Sequence, residues 1–438
     1  VARNFIRFGL DPLHPRFDDL SNIPSGKDNP NGWRMVEFPL YQLVATIGYK
    51  LAGFVSIEIW LRLVTIAAST GTAILLALLV SRLTDTVTGT LSGLLYAVLP
   101  YNIYYGRTIL PDPFMVFWSV LSIFLLSVYE KTKKYSWLVL LAAAVSAAFA
   151  LLVKPNAIFL LLPATYLLWK KLNISKNFFI GLFVYWMIGL LPLWLWRQWI
   201  LQYPEGIAVY AWLLNEVNIR FKGAWFYWLF AERLGKLILG FWGLVPFSLG
   251  LLVKPAAKEG WLFRFWAIGA ILYMAIVARG NVQHDYYQIM IIPIVSVYAA
   301  KGLRFIATSS IFGTIPRVVF AGVCSLFLFG FSWYFMRTFY WINRPEIVEA
   351  GKMADNLLPP NAKVIAPYNG DTTFLYQTHR QGWPIGFEID KKIKMGATHY
   401  VTVSPTDADG ETRALASEYT VLVRNDKFAI IDLTKPKK

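Results

Sequence analysis

Apolar residues run along this chain in long blocks, separated by short stretches rich in Lys, Pro, Asn and aromatic side chains. About 20 apolar residues in a helix cross the roughly 30 Å of hydrocarbon in a bilayer. Ten blocks are candidates: 57–80, 89–105, 114–128, 137–153, 157–169, 178–200, 237–253, 261–278, 289–300 and 318–335. They predict a polytopic α-helical bundle of about ten membrane helices. Trp194, Trp196 and Trp199 crowd one block end, where amphipathic rings favour the headgroup layer.

The flanks read differently. Residues 1–36 are polar and carry Pro12, Pro15, Pro24 and Pro30, which predicts an exposed loop. Residues 38–54 are amphipathic and suited to lying on a membrane surface. The aromatic stretch 201–236 holds Glu205, Glu216, Arg220 and Glu232, a length at which connections are often functional. Near Tyr340 the composition changes to that of a small soluble α/β domain. Ile347, Ala350, Ala354 and Leu357 have helical spacing behind a candidate cap at Asn343. Residues 363–367 and 399–403 read as strands, and 420–424 with 428–433 as a hairpin turning at Asn425–Asp426. Asp407 and Asp409 read as a solvated loop before a helix around Ala414, rather than as a metal pair. The expected division is a first loop with its surface helix over 1–56, a helical bundle over 57–340 and an α/β domain over 341–438.

Composition agrees: 438 residues are 56% hydrophobic and 16% charged, which excludes an ordinary soluble surface. The net charge of +16 raises the question of nucleic acid. The tail from 342 onward, however, holds 13 Lys and Arg against 12 Asp and Glu, so the surplus belongs to the bundle. There it sits in alternate loops: Arg82; Lys131, Lys133 and Lys134; Lys170, Lys171 and Lys176; Lys254 and Lys258; Lys301, Arg304 and Arg317. The opposite loops hold chiefly Arg107, Lys154 and Arg279. The positive-inside rule then predicts a cell-membrane protein with the Lys-rich loops cytoplasmic and the tail outside, and no nucleic-acid partner. An outside start for residues 1–56 further implies a helix preceding Val1. The single cysteine, Cys324, cannot form an intrachain disulfide and reads as packing.

Ionisable groups at membrane depth are costly and mark sites or pathways. Those here collect on the outer turns. Glu37 lies where the first loop returns to the membrane, and Arg107 and Asp112 lie in YYGRTILPDP. Lys154 lies in LVKPN, and Arg279, His284, Asp285, Tyr286 and Tyr287 occupy a third turn. Each has a plainer reading: snorkelling to the interface for the cations, helix capping for Asp112, ordinary hydrogen bonding for His284. Together, cations and carboxylates on one face suit an anionic, lipid-linked substrate.

In this arrangement the chain resembles the lipid-dependent GT-C glycosyltransferases, of the protein mannosyltransferase and aminoarabinose transferase type. Residues 1–9, VARNFIRFG, resemble the segment after that family's Asp-Glu motif. EFPLY at 37–41 is similar to its Glu-Lys-Pro-Pro-Leu return. The turns holding Arg107 and Asp112, Lys154 and Pro155, and His284 to Tyr287 followed by Pro293 match three more of its motifs in order. The resemblance spans residues 1–303. It implies transfer of a sugar from a polyprenyl-phosphate carrier to a hydroxyl of a protein, lipid or glycan acceptor, outside the membrane. It assigns Arg107, Lys154 and Arg279 to the phosphate, Glu37 and Asp112 to orientation, and His284, Tyr286 and Tyr287 to the headgroup pocket. The family's catalytic Asp would precede Val1, and Phe38 stands where the family has Lys. No metal-ligand constellation or other cofactor motif is legible, and the carboxylates expected before Val1 leave a divalent metal open. A transporter or flippase of a lipid-linked or polar solute is the alternative, weakened by the absence of an internal repeat and of midplane charges. A non-catalytic scaffold is a third.

Overall fold

The computed structural model describes residues 1–310, 313–406 and 410–437, so Asp407–Ala408–Asp409 lies outside the described residues. The chain forms two compact units. One comprises Glu37–Gln198 and Tyr210–Tyr340, the other Val1–Val36, Trp199–Val209 and Trp341–Lys438.

The first unit is helical. Among the described residues six of its helical runs are long and apolar enough to span a bilayer, beginning at Ile57, Asp112, Ser136, Lys176, Asp285 and Thr314. Of the other four expected spans, 261–278 forms the shorter helix Leu262–Ile276, and three are broken for local reasons. The run 89–105 divides at Pro100, which lacks the N–H needed to continue a helix, into Thr86–Val98 and Pro100–Tyr105. The run 157–169 becomes Ala157–Leu160 and Leu162–Leu172, the second with Pro163 in its first turn. The run 237–253 is split by Gly240 and Phe241, both at positive φ, between a π-helical segment Tyr227–Ile238 and Leu244–Leu252. Starts are capped where the sequence supplies a cap. Ser56 accepts from the Ile59 N–H, and Asp85 accepts from Val87 and Thr88.

Close packing within this unit depends on small residues. Helix Leu244–Leu252 crosses Ile292–Thr308 so tightly that a Cβ at Gly302 would lie 1.7 Å from the Pro246 carbonyl oxygen, and one at Gly250 1.8 Å from that of Tyr298. In lipid, where hydrophobicity does not drive helices together, such backbone contact supplies the attraction. Cys324 is fully buried in the apolar cluster with Leu95, Ala299, Ala300 and Leu303, a packing role as expected. Polar contacts tie the Lys-rich helix ends: Lys301 to Glu259 at 2.5 Å, Lys170 to Glu130 at 3.1 Å, Arg304 to Asp85 at 3.6 Å.

The second unit is built on a five-stranded sheet of β1 (Lys363–Ile365), β2 (Gln381–Trp383), β3 (His399–Thr402), β4 (Tyr419–Arg424) and β5 (Ala429–Pro436), in the order β2-β1-β3-β5-β4. β1 pairs parallel with β2 and β3, while β5 runs antiparallel to β3 and β4. The expected hairpin is present, its turn closed by Asn425 N–H to the Phe428 carbonyl. The expected helix spans Pro345–Leu357, but Asn343 does not cap it: the cap position is Arg344, with no side-chain cap bond. Leu358, rather than Leu357, enters the core, because the chain turns inward after the helix. Ala350, Val364, Phe374 and Ile430 fill one apolar cluster, and Trp383, Tyr400 and Ile431 another. Residues 18–20 extend this sheet. Leu20 N–H donates to the Gly382 carbonyl and Gly382 N–H to that of Asp18, so the first loop covers the β2 edge. Leu20 then inserts into the Trp383 cluster.

Candidate functional site

Following the chain through its helices brings the turns 99–111, 154–156 and 277–284 to the same end of the bundle. Helix Ser136–Val153 delivers Lys154 as its C-cap, held by its N–H on the Ala150 carbonyl. Asp112 opens the helix Asp112–Lys131, yet it is not a cap: Pro111 holds the cap position and no side chain bonds the free N–H groups. Its carboxylate turns inward instead. Lys154 Nζ lies 2.8 Å from Asp112 Oδ1, with side-chain exposures of 11% and 2%. The other oxygen, Oδ2, is buried without a hydrogen-bond partner. A carboxylate oxygen left bare at this depth is costly and marks the direction in which a donor is expected.

Tyr286 and Tyr287 follow from the third turn. Their rings lie 5.4 and 5.0 Å from Lys154 Nζ, within cation–π reach, and 5.0 Å from each other. His284 sits 5.3 and 5.1 Å from the two rings and 5.8 Å from Trp212. Burial opposes the Lys154 charge, but Asp112, the tyrosines and Glu37 outweigh it and hold its pKa above the ordinary lysine value. Burial and the nearby Lys154 push His284 below the usual histidine value, so the ring is neutral at pH 7. The result is a buried ion pair walled by aromatic rings, with one free carboxylate oxygen and a neutral imidazole at its edge. It can bind hydroxyl groups, and Lys154 keeps ammonium protons for an anion, since only one reaches Asp112.

The structure thus joins Lys154, Asp112, His284, Tyr286 and Tyr287, with Glu37 close enough to act on Lys154. Arg107 and Arg279 are held elsewhere. Arg107 is exposed and stacks at 4.7 Å over the Tyr340 ring, and Arg279 Nε stands 3.9 Å from Glu216. Sequence reasoning passed over a neighbouring group. Tyr101 donates to the Asp285 backbone carbonyl, and the buried Arg233 donates to the Val282 carbonyl at 3.2 Å. Arg233 comes from the π-helical segment, where a cation among aromatic residues was the available signal.

Residues 31–175 match the family model described as dolichyl-phosphate-mannose-protein mannosyltransferase. That third of the chain includes Glu37, Arg107, Asp112 and Lys154. No curated protein matches in sequence. The fold is similar to ArnT from Cupriavidus metallidurans bound to undecaprenyl phosphate, with TM-score 0.66 at 13% identity over 98% of this chain and 92% of that one. It is also similar to the oligosaccharyltransferase AglB from Archaeoglobus fulgidus in complex with an inhibitory peptide and a dolichol-phosphate. There the TM-score is 0.56 at 11% identity, over 96% and 68% of the two chains.

Proposed function

We propose that this chain, a membrane glycosyltransferase of GT-C fold, moves a sugar from a polyprenyl-phosphate donor to a hydroxyl acceptor on the extracytoplasmic face. The observation that supports this reading most is the buried Lys154–Asp112 pair, whose ammonium lies within reach of the Tyr286 and Tyr287 rings. A transporter would need such a pair near midplane on broken helices. Here it lies at the turns of one helix end.

In the proposed reaction the bond between the sugar's anomeric carbon and the phosphate oxygen breaks, and its electrons stay on the lipid phosphate. The acceptor oxygen bonds the same carbon and loses its proton to a carboxylate. Lys154 stabilises the charge growing on the phosphate with the ammonium protons that Asp112 leaves free. Asp112 Oδ2 and Glu37 receive sugar or acceptor hydroxyls. Tyr286, Tyr287 and the neutral His284 line the headgroup pocket. Arg107 and Arg279, seated on Tyr340 and near Glu216, meet the phosphate as it approaches rather than at the reacting bond.

The orientation rests on charge. The turns between helices opposite the site carry most of the Lys and Arg, which supports a cytoplasmic location for them and an outside location for site and tail. The domain division proposed from sequence carries the tail, 341–438, to that outer face. Full-length protein reconstituted in vesicles, given a radiolabelled polyprenyl-phosphate sugar and an acceptor extract, tests the reading. Labelled acceptor supports it. Passage of label across the vesicle without transfer sinks it in favour of the transporter.

A further inference from the structure

In the second unit a cavity of about 450 Å³ opens at the carboxyl ends of the parallel strands. Its wall is Pro367 and Asn369 after β1, Ile385 to Phe387 after β2, and Gly410 and Glu411 beyond β3. In open α/β sheets this is where ligands bind, because adjacent strands there send their connections in opposite directions and leave a crevice. β1 connects outward to β2, while β3 connects the other way toward β4. The volume falls within the range of small-molecule sites.

The rim is held rigid from two sides. Lys392 donates to the carbonyls of Ile385, Gly386 and Phe387 at 3.1, 2.5 and 2.5 Å. Glu411 Oε1 accepts the Phe387 N–H at 2.8 Å, and Oε2 accepts the Tyr400 hydroxyl at 2.8 Å. A Cβ at Gly386 would meet Glu411 Oε2 at 2.4 Å, so only glycine admits this closure. These bonds fix the backbone of Phe387, whose ring is 70% exposed at the crevice wall. A solvent-facing ring on an anchored backbone beside a crevice is a stacking platform.

Charge selects the ligand. Among the described lining residues there is no Lys, Arg or His, and the charge of Lys392 is spent on carbonyls. A phosphate or nucleotide would find no counter-charge. A neutral ring with hydroxyls on its edge and C–H groups on its face fits Phe387, Asn369 and the Glu411 carboxylate. We propose that this crevice binds a neutral saccharide unit. That the saccharide belongs to the acceptor rests on the glycosyl-transfer reading above.

The test is saturation-transfer NMR on the full chain in detergent with the methyl glycosides of glucose, mannose, galactose and N-acetylglucosamine, alongside AMP. At least one glycoside is expected to bind, and Phe387→Ala and Asn369→Gly each to weaken it by roughly tenfold or more. Asn369 already has φ 52°, so glycine keeps the backbone, and unchanged thermal unfolding of both variants shows that the fold persists. No glycoside binding, unaltered binding in both variants, or AMP binding that the same two variants weaken overturns the proposal. Glycoside binding lost in the variants, in a protein that transfers no sugar, leaves this site standing and removes the reading of the bundle. Transfer without glycoside binding does the reverse.

Discussion

Lys154 and Asp112, 42 residues apart, meet at 2.8 Å with one carboxylate oxygen left over. The structural pair Lys301–Glu259 likewise leaves one buried carboxylate oxygen bare, so the spare acceptor alone does not mark a site. What sets this pair apart is its company: the rings of Tyr286 and Tyr287 within cation–π reach of Lys154, with His284 beside them. Asp112→Asn removes the charge but keeps size and one acceptor, and it leaves the buried Lys154 ammonium without its counter-ion. Transfer per folded molecule is expected to fall by about 10²-fold or more, alongside a lower thermal midpoint. Wild-type kcat/KM in the Asn variant would end the assignment.

Lys154→Met leaves the Asp112 carboxylate buried and uncompensated, a change that costs about 3–5 kcal/mol. The thermal midpoint is expected to drop, and donor affinity with it. Asp112→Asn on top of Lys154→Met is expected to restore much of the stability but none of the transfer, which separates the structural share of the pair from its chemical share.

The helix crossing at Gly302 has no room for a methyl group, since the obstruction is a backbone carbonyl 1.7 Å away. Gly302→Ala is expected to force the two helices apart and lower the detergent-resistant folded fraction. A control Gly322→Ala, where nothing lies within 4 Å, is expected to leave it unchanged.

His399 sets a pH limit on the sheet unit. It is buried, and burial lowers its pKa below the usual value, against the opposing pull of Asp432. The unfolded chain therefore takes up this proton first. Stability from the neutral ring is complete above about pH 6.5 and is lost as pH falls from there toward the lower folded value. Thermal unfolding at pH 7.5 and 5.5 is expected to show that loss, and His399→Asn to flatten it.

The bundle was legible because lipid enforces long apolar runs with charges at their ends. Blocks that Pro or positive-φ residues interrupt were legible as apolar, and less so as shorter helices, since hydropathy does not register a broken turn. The site was legible residue by residue, through the cost of placing Lys154 or Asp112 at a helix end. Its grouping was not. Nothing in the spacing says that Arg107 stacks on Tyr340 while Lys154 reaches Asp112. Asp112 is the first-turn acid that its plainer reading allowed, but it does not cap the helix: Pro111 holds the cap position, and the carboxylate reaches Lys154 instead. β2 was missed because three residues, Gln381–Trp383, carry too little alternation to be read.

The strand-edge contact of Asp18 to Leu20 with Gly382 has a consequence for how the protein is made. The two parts of that contact are separated by the entire bundle in the order of synthesis. The first loop emerges early and must wait, its Leu20 unburied, until more than three hundred further residues have been threaded through the membrane. Closure of so distant a loop is slow. The sheet unit is therefore finished only after the bundle's last helix is in place, and a chain arrested midway would display an unpaired edge and a loose apolar hook to any quality-control factor.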